Sequence, residues 1–381
     1  MSLTPLVGQS FARKETRRMS MLFQNAITLN LVTGAAIVAV LMLFVPLLPH
    51  LGQPKEVIDA AKSYFIITSI SLFPAQIFLA FRHFMEGAGN TKITMRIIIS
   101  ANLLNIILNY IFIFGKCGFP ALGVEGAALA TDISQLVSCV LSLRFLMKSE
   151  DACRVELSAI RLHRKMASRI IRVGLPTGIQ NMVISFSNVL VQASVNSYGA
   201  AAMAGFAAYM KIDGFNILPI MSFSMAATTF VGQNFGAGKI DRVKKGTFVT
   251  LGMCIVYTIL TGILLLAFQD PIMHLFTGDE TVIAYGKICM LYFCPFYWML
   301  GILQGLAGTV RGTGKSVPPM VVLLVSLCLF RVVWIQFLLP FFPGIEGVFI
   351  LYPVSWGLGA LLMILYAWKG TPSTSGRCRE P

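Results

Sequence analysis

Apolar residues in this chain gather into long blocks instead of recurring at every third or fourth position, as they would on a soluble amphipathic helix. Ten blocks reach the roughly 20 residues that a helix needs to cross a hydrocarbon core: 20–45, 63–81, 95–115, 126–147, 175–198, 204–231, 246–268, 282–308, 317–342 and 347–368. In lipid every backbone N–H and C=O has to be paired within the protein, so blocks this long and continuous predict helices and exclude a β-barrel. The expected fold is an all-α polytopic membrane protein.

Composition agrees. Hydrophobic residues make up 56% and charged residues only 12% of the 381, against about 25% charge in a soluble protein. The net charge of +14 is distributed by loop. Alternate loops hold Arg13, Lys14, Arg17 and Arg18; Arg82, Lys92 and Arg96; a run from Arg144 to Arg172; Lys239, Arg242, Lys244 and Lys245; Arg311 and Lys315; and Lys369, Arg377 and Arg379. The opposite loops hold only Lys55, Lys62, Lys116 and Lys287. Basic residues in short loops mark the cytoplasmic side, so both termini are expected there, and the charge reflects topology rather than a nucleic-acid partner. The eight cysteines form no C-x-x-C and read as small packing residues, with neither a zinc site nor a disulfide framework. No cleavable signal peptide is visible at the start.

The chain also repeats itself. VGQSFARKETRR (7–18) returns as VGQNFGAGKIDR (231–242), Pro74 in SLFPAQIF as Pro295 in LYFCPFYW, EGAGNTK (86–92) as RGTGKSV (311–317), and GVEG (123–126) as GIEG (344–347), all at offsets of 221 to 225. Two homologous helix bundles are therefore expected. The first occupies 1–147, with four spans and the stub of a further helix; a basic cytoplasmic linker covers 148–172, the second bundle of six spans 173–368, and a cytoplasmic tail 369–381. The counterpart of the helix that begins near Pro176 falls before Met1. Ten spans of an expected twelve are thus present, through a misplaced start, a fragment or a natural truncation. Six helices per half makes the halves parallel repeats.

FVGQNFGAGKIDR, KIDGFN (211–216), VGLPTGIQN (173–181), GVEGAALAT (123–131) and VRGTG (310–314) together resemble the multidrug and toxic compound extrusion (MATE) family, in particular its bacterial branch. The resemblance covers essentially the whole chain. It implies two six-helix lobes with a central cavity, in a bacterial inner membrane. The activity it implies is export of small organic, often cationic compounds against H+ or Na+ entry, by alternating access. It also implies a first-lobe cation site built from a fifth-helix Asn and Asp, a sixth-helix Thr and a first-helix Asp. Here the fifth-helix pair is Asn105 and Asn109, Thr131 is retained, and the first helix is absent, so coupling in this lobe falls to Asp132 if to any residue.

Intramembrane polar groups are costly enough for their placement to inform. Asn102, Asn105 and Asn109 form one helical stripe, and Asn181, Ser185, Asn188, Gln192 and Asn196 form another. Both read either as walls of a wet cavity or as interhelical hydrogen-bond glue. Lys211 and Asp213, two positions apart, point in opposed directions; each should meet a partner on another helix, and the pair is either a coupling set or a structural ion pair. Tyr285, Tyr292, Phe296, Tyr297 and Trp298 give an aromatic run that suits a flat organic cation or plain packing. Arg331 is expected to be paired or snorkelling. Pro74, Pro219, Pro295 and Pro353 are bend points or fixed kinks. RGTGKS (311–316) lacks the glycine spacing of a P-loop and reads as a turn. The function expected is secondary active efflux by a monomer, without enzymatic activity or cofactor beyond the coupling ion. The alternatives are a lipid-linked precursor flippase of the same superfamily and a non-transporting remnant or scaffold.

Overall fold

Each predicted apolar block lies on helix in the computed structural model, which describes residues 2–47, 55–148 and 163–370. No strand occurs among the described residues. The chain divides into two units, Met1–Ile171 and Arg172–Pro381.

The first unit begins with a short helix, α1 (Leu3–Ala12), and the long α2 (Thr16–Phe44). α3 (Lys55–Ile70) and α4 (Leu72–Gly87) together make one span, broken just before Pro74. α5 (Thr91–Phe114) and α6 (Gly123–Lys148) complete it. Lipid tails are as apolar as leucine, so side-chain packing rather than water exclusion holds such helices together. Phe23 of α2 meets Phe84 of α4 with ring centroids 4.8 Å apart, and Phe81 meets Phe145 of α6 at 6.2 Å.

α7 (Arg164–Asn196) runs on from the first unit into the second, followed by α8 (Ala200–Gly236) and α9 (Ile240–Ala267). After the short α10 (Gln269–His274), α11 (Glu280–Phe293) and α12 (Tyr297–Gly312) form one span bent at Pro295 through a 3-10 turn, Cys294–Phe296. Proline removes a backbone donor and forces that bend. The next span is irregular: α13 (Val317–Leu324) and α14 (Phe330–Val333) alternate with π-helical turns at Val325–Leu329 and Trp334–Leu338. α15 (Glu346–Phe349) and α16 (Leu351–Gly370) close the unit. Its core gathers around Phe293, whose ring lies 5.1 Å from Tyr209, 4.4 Å from Tyr352 and 5.9 Å from both Phe349 and Trp356.

Among the described residues nine helical segments are long and apolar enough to cross a membrane. The tenth predicted block lies on α7, whose amide stripe lowers its hydropathy although it is 33 residues long. Part of the expected linker is also helical. Residues 164–172 open α7, with Ala167, Ile170 and Val173 buried and Arg164, Lys165, Arg169 and Arg172 exposed. This amphipathic pattern lets the helix continue past the apolar block. Arg154, Arg161, Arg377, Arg379, Cys153 and Cys378 lie outside the described residues.

Candidate functional site

Each unit holds its own cluster of polar groups among apolar helices. In the first unit, Asn105 and Asn109 share one face of α5, as their spacing predicts, and Asn105 reaches Thr131. The Asn109 amide donates to Asn105 Oδ1 at 3.0 Å, and the Asn105 amide to Thr131 Oγ1 at 3.5 Å. Asn102, the third member of that stripe, is exposed. Asp132 is half-buried beside Ser71, and neither its Oδ1 nor Asn109 Oδ1 has a hydrogen-bond partner among the described residues. An acceptor left open on each suits a cation or a water rather than a finished structural contact.

The second unit buries its carboxylate more deeply. Asp213 on α8 is buried, and its Oδ1 accepts a hydrogen bond from the Tyr297 hydroxyl of α12. Tyr297 in turn bonds the Tyr209 hydroxyl, one turn back on α8. Because the Tyr297 proton is committed to Asp213, Tyr209 is the donor of the second bond. Trp356 of α16 stacks on the Tyr297 ring, centroids 5.6 Å apart. Asn216, one turn beyond Asp213, is buried with neither amide atom hydrogen-bonded among the described residues.

Arg331 lies between the two π-helical turns and is buried with no carboxylate partner among the described residues. Its Nε donates to Ser355 Oγ at 3.3 Å and one terminal nitrogen to Asn188 Oδ1 at 3.3 Å, while the guanidinium sits 4.4 Å from the Tyr352 ring centre. It is held inside by neutral acceptors and a π-face. π-helical turns of this kind recur at functional sites.

The structure separates the two charges of KIDGFN. Asp213 turns inward to Tyr297, whereas the exposed Lys211 has its ammonium 6.0 Å from the Phe276 ring centre. On α7, Asn181, Ser185 and Asn188 are exposed, Asn188 while it accepts from Arg331, and Gln192 donates to Asn196 Oδ1 at 2.9 Å. The neighbouring face buries Ser187, Val191 and Val195. Tyr292 and Phe296 are half-buried and pack against the core, while Tyr297 is the member of the aromatic run that reaches the carboxylate. Tyr209 and Asn216 were not singled out by the sequence. The signal available was their spacing, four positions before and three after Asp213 on one helix.

A family model described as MatE matches residues 1–111 and 176–335, well over half of the chain. The chain belongs to the MATE family. Among curated relatives of this MATE protein, one named "Probable multidrug resistance protein NorM" from Thermotoga maritima is 30% identical over 341 residues, covering 86% of this chain and 70% of the relative. "Probable multidrug resistance protein YoeA" of Bacillus subtilis is 26% identical and covers 96% of this chain and 80% of its own. Among solved structures, an outward-facing multidrug resistance MATE transporter superposes with a TM-score of 0.90 at 18% identity, over 97% of this chain and 82% of that one. The Vibrio cholerae MATE transporter VcmN in its bent form gives 0.87 at 21%, over 97% and 83%. At these identities the structural likenesses speak for the fold alone.

Proposed function

We propose that this MATE protein is a secondary active exporter of small organic, cationic compounds, driven by H+ or Na+ entry through alternating access of its two units. It works as a monomer in a bacterial inner membrane, both termini in the cytoplasm. The observation that carries this reading is the Asp213–Tyr297–Tyr209 chain with the unpartnered Asn216 beside it. A buried carboxylate is retained only where something offsets its desolvation, and in transporters such groups mark ion pathways. Protonation of Asp213 turns it from acceptor to donor, which reverses the direction of both tyrosine hydrogen bonds. A sodium ion would instead take oxygens from Asp213 and Asn216. Either event changes the contacts between α8 and α12, a two-state element of the kind alternating access requires. The polar stripe of α7, Asn181, Ser185, Asn188 and Gln192, and the flanking aromatics Tyr292 and Phe296 are the proposed substrate contacts.

The test is ethidium efflux in everted vesicles carrying the full chain, with the pH and sodium gradients imposed separately. Asp213→Asn is expected to remove the dependence on the driving gradient. Efflux that keeps its pH and sodium dependence in this variant overturns the coupling role.

A further inference from the structure

Lys211 is left over by this account. It lines a pocket of about 310 Å³ in the second unit, with Ala204, Ala207 and Ala208 on the same face of α8 and Phe276, Thr277, Asp279 and Val282 opposite. That volume is at the lower end of small-ligand sites. The pocket lies where α8 and α11 approach closely: a Cβ on Gly205 would stand 2.7 Å from both the Val282 carbonyl oxygen and Tyr285 Cβ.

Its level in the membrane follows from the backbone. Residues 277–279 are not helical, and lipid-exposed irregular backbone does not occur within hydrocarbon. The loop therefore lies at the interface, and the contact with Phe276 brings the Lys211 ammonium to that level. Leu275 is 82% and Phe276 41% exposed, so the rim is apolar where headgroups meet acyl chains.

Most charged groups around this rim have a polar partner. Lys287 Nζ meets Asp270 Oδ1 at 2.5 Å, and His274 Nε2 lies 3.5 Å from Glu280 Oε1. Lys211 and Asp279 remain, one positive and one negative, both lining the pocket and neither in an ion pair among the described residues. Asp279 accepts hydrogen bonds from the Thr281 hydroxyl at 2.6 Å and the Thr281 backbone N–H at 2.9 Å, both at Oδ1. These bonds hold its carboxyl below the ordinary value, so it is ionised at neutral pH with Oδ2 free of them.

We propose that this pocket binds a zwitterion, with a phosphate on Lys211 and an ammonium on Asp279, as presented by a phosphatidylethanolamine headgroup. A phosphate-only anion would satisfy Lys211 and meet repulsion from Asp279. The interfacial level favours the lipid over a dissolved zwitterion of the same chemistry.

Native mass spectrometry of the purified full chain reads the proposal directly, with phosphatidylethanolamine, phosphatidylglycerol and soluble phosphoethanolamine as separate probes. The unaltered protein should retain phosphatidylethanolamine about fivefold better than phosphatidylglycerol, the scale of one partly exposed charge pair. Lys211→Gln should lower retention of both lipids, and Lys211→Arg should restore it. Asp279→Asn keeps the cap on α11, since asparagine also accepts from the Thr281 N–H, and should erase the preference by raising phosphatidylglycerol retention. Equal retention of the two lipids by the unaltered protein, or no effect of Lys211→Gln in a variant that unfolds at the same temperature, overturns the site. Saturation by phosphoethanolamine with the same variant dependence overturns the assignment to a lipid.

Discussion

The crossing of α1 with α4 in the first unit and that of the C-terminal part of α8 with α12 in the second are built on equivalent residues and filled with different chemistry. A Cβ on Gly87 would lie 2.7 Å from the Thr4 carbonyl oxygen and 2.8 Å from Val7 Cβ; on Gly312 it would lie 2.8 Å from the Thr228 oxygen and 2.7 Å from Val231 Cβ. The polar groups between these helices do not match. In the first unit Arg82 Nε donates to Glu86 Oε1 at 2.8 Å, and His83 Nδ1 lies 3.2 Å from Glu86 Oε2 and 3.3 Å from Thr4 Oγ1. In the second, Thr228 Oγ1 donates to the Gly308 carbonyl at 2.9 Å, Ser224 Oγ to the Gln304 carbonyl at 2.6 Å, and Arg311 to Ser224 Oγ at 3.0 Å. After duplication, Gly87 and Gly312 kept the close approach that each allows. The polar groups had only to remain satisfied, and were free to change.

The largest effect should come from the backbone approach itself. A Cβ on Gly308, the counterpart of His83, would stand 2.3 Å from the Ser224 carbonyl oxygen, an overpacking that Gly308→Ala should register as about 3 kcal/mol of lost stability. Gly87→Ala should cost about 2 kcal/mol. The four tryptophans, at 298, 334, 356 and 368, all belong to the second unit, so their fluorescence reports on that unit and far-ultraviolet circular dichroism on both. Thermal unfolding in detergent should show Gly308→Ala lowering the fluorescence midpoint and Gly87→Ala lowering chiefly the circular-dichroism one. Equal shifts of the fluorescence midpoint would break the picture of two separately packed crossings.

A second contrast concerns the carboxylates. Asp213 is buried with a tyrosine donor, whereas Asp132 is half-buried with an open Oδ1. Tyr297→Phe removes the donor of a buried charged bond and should lower initial efflux about tenfold. Asp132→Asn should change it less than about twofold. The opposite ranking would move coupling into the first unit.

How much of this could be read from the sequence depends on the range of each interaction. The spans were legible because about 20 apolar residues have few other uses, and α7 was legible even though its amides dilute the signal. The opposed directions of Lys211 and Asp213 followed from helical geometry, as did the stripe that brings Asn105 onto Asn109. Partners on other helices were not legible. Tyr297 is 84 residues from Asp213, and the break at Pro295 resets the helical phase, so the aromatic run alone could not say which ring turns inward. Arg331 reaches back 143 residues to Asn188 across two π-helical turns that no periodicity announces. The helical start of α7 was hidden by its charges, which read as a loop until the buried Ala167, Ile170 and Val173 are placed on one face.

The smallest expected effect separates filling from function at the α1–α4 crossing. Glu86→Gln keeps an acceptor for Arg82 and the volume of the side chain, and removes only the charge between Arg82 and His83. The bond lost is partly replaced, so unfolding should be easier by about 1 kcal/mol, with ethidium efflux unchanged at temperatures where the protein stays folded. Arg311→Gln at the equivalent place in the second unit should behave alike, since Ser224 and the Ala307 carbonyl remain acceptors for the amide. If Glu86→Gln instead lowers efflux with no change in unfolding, while Arg311→Gln does not, then His83 and Glu86 are a working pair, and the difference between the two crossings is a division of labour rather than drift.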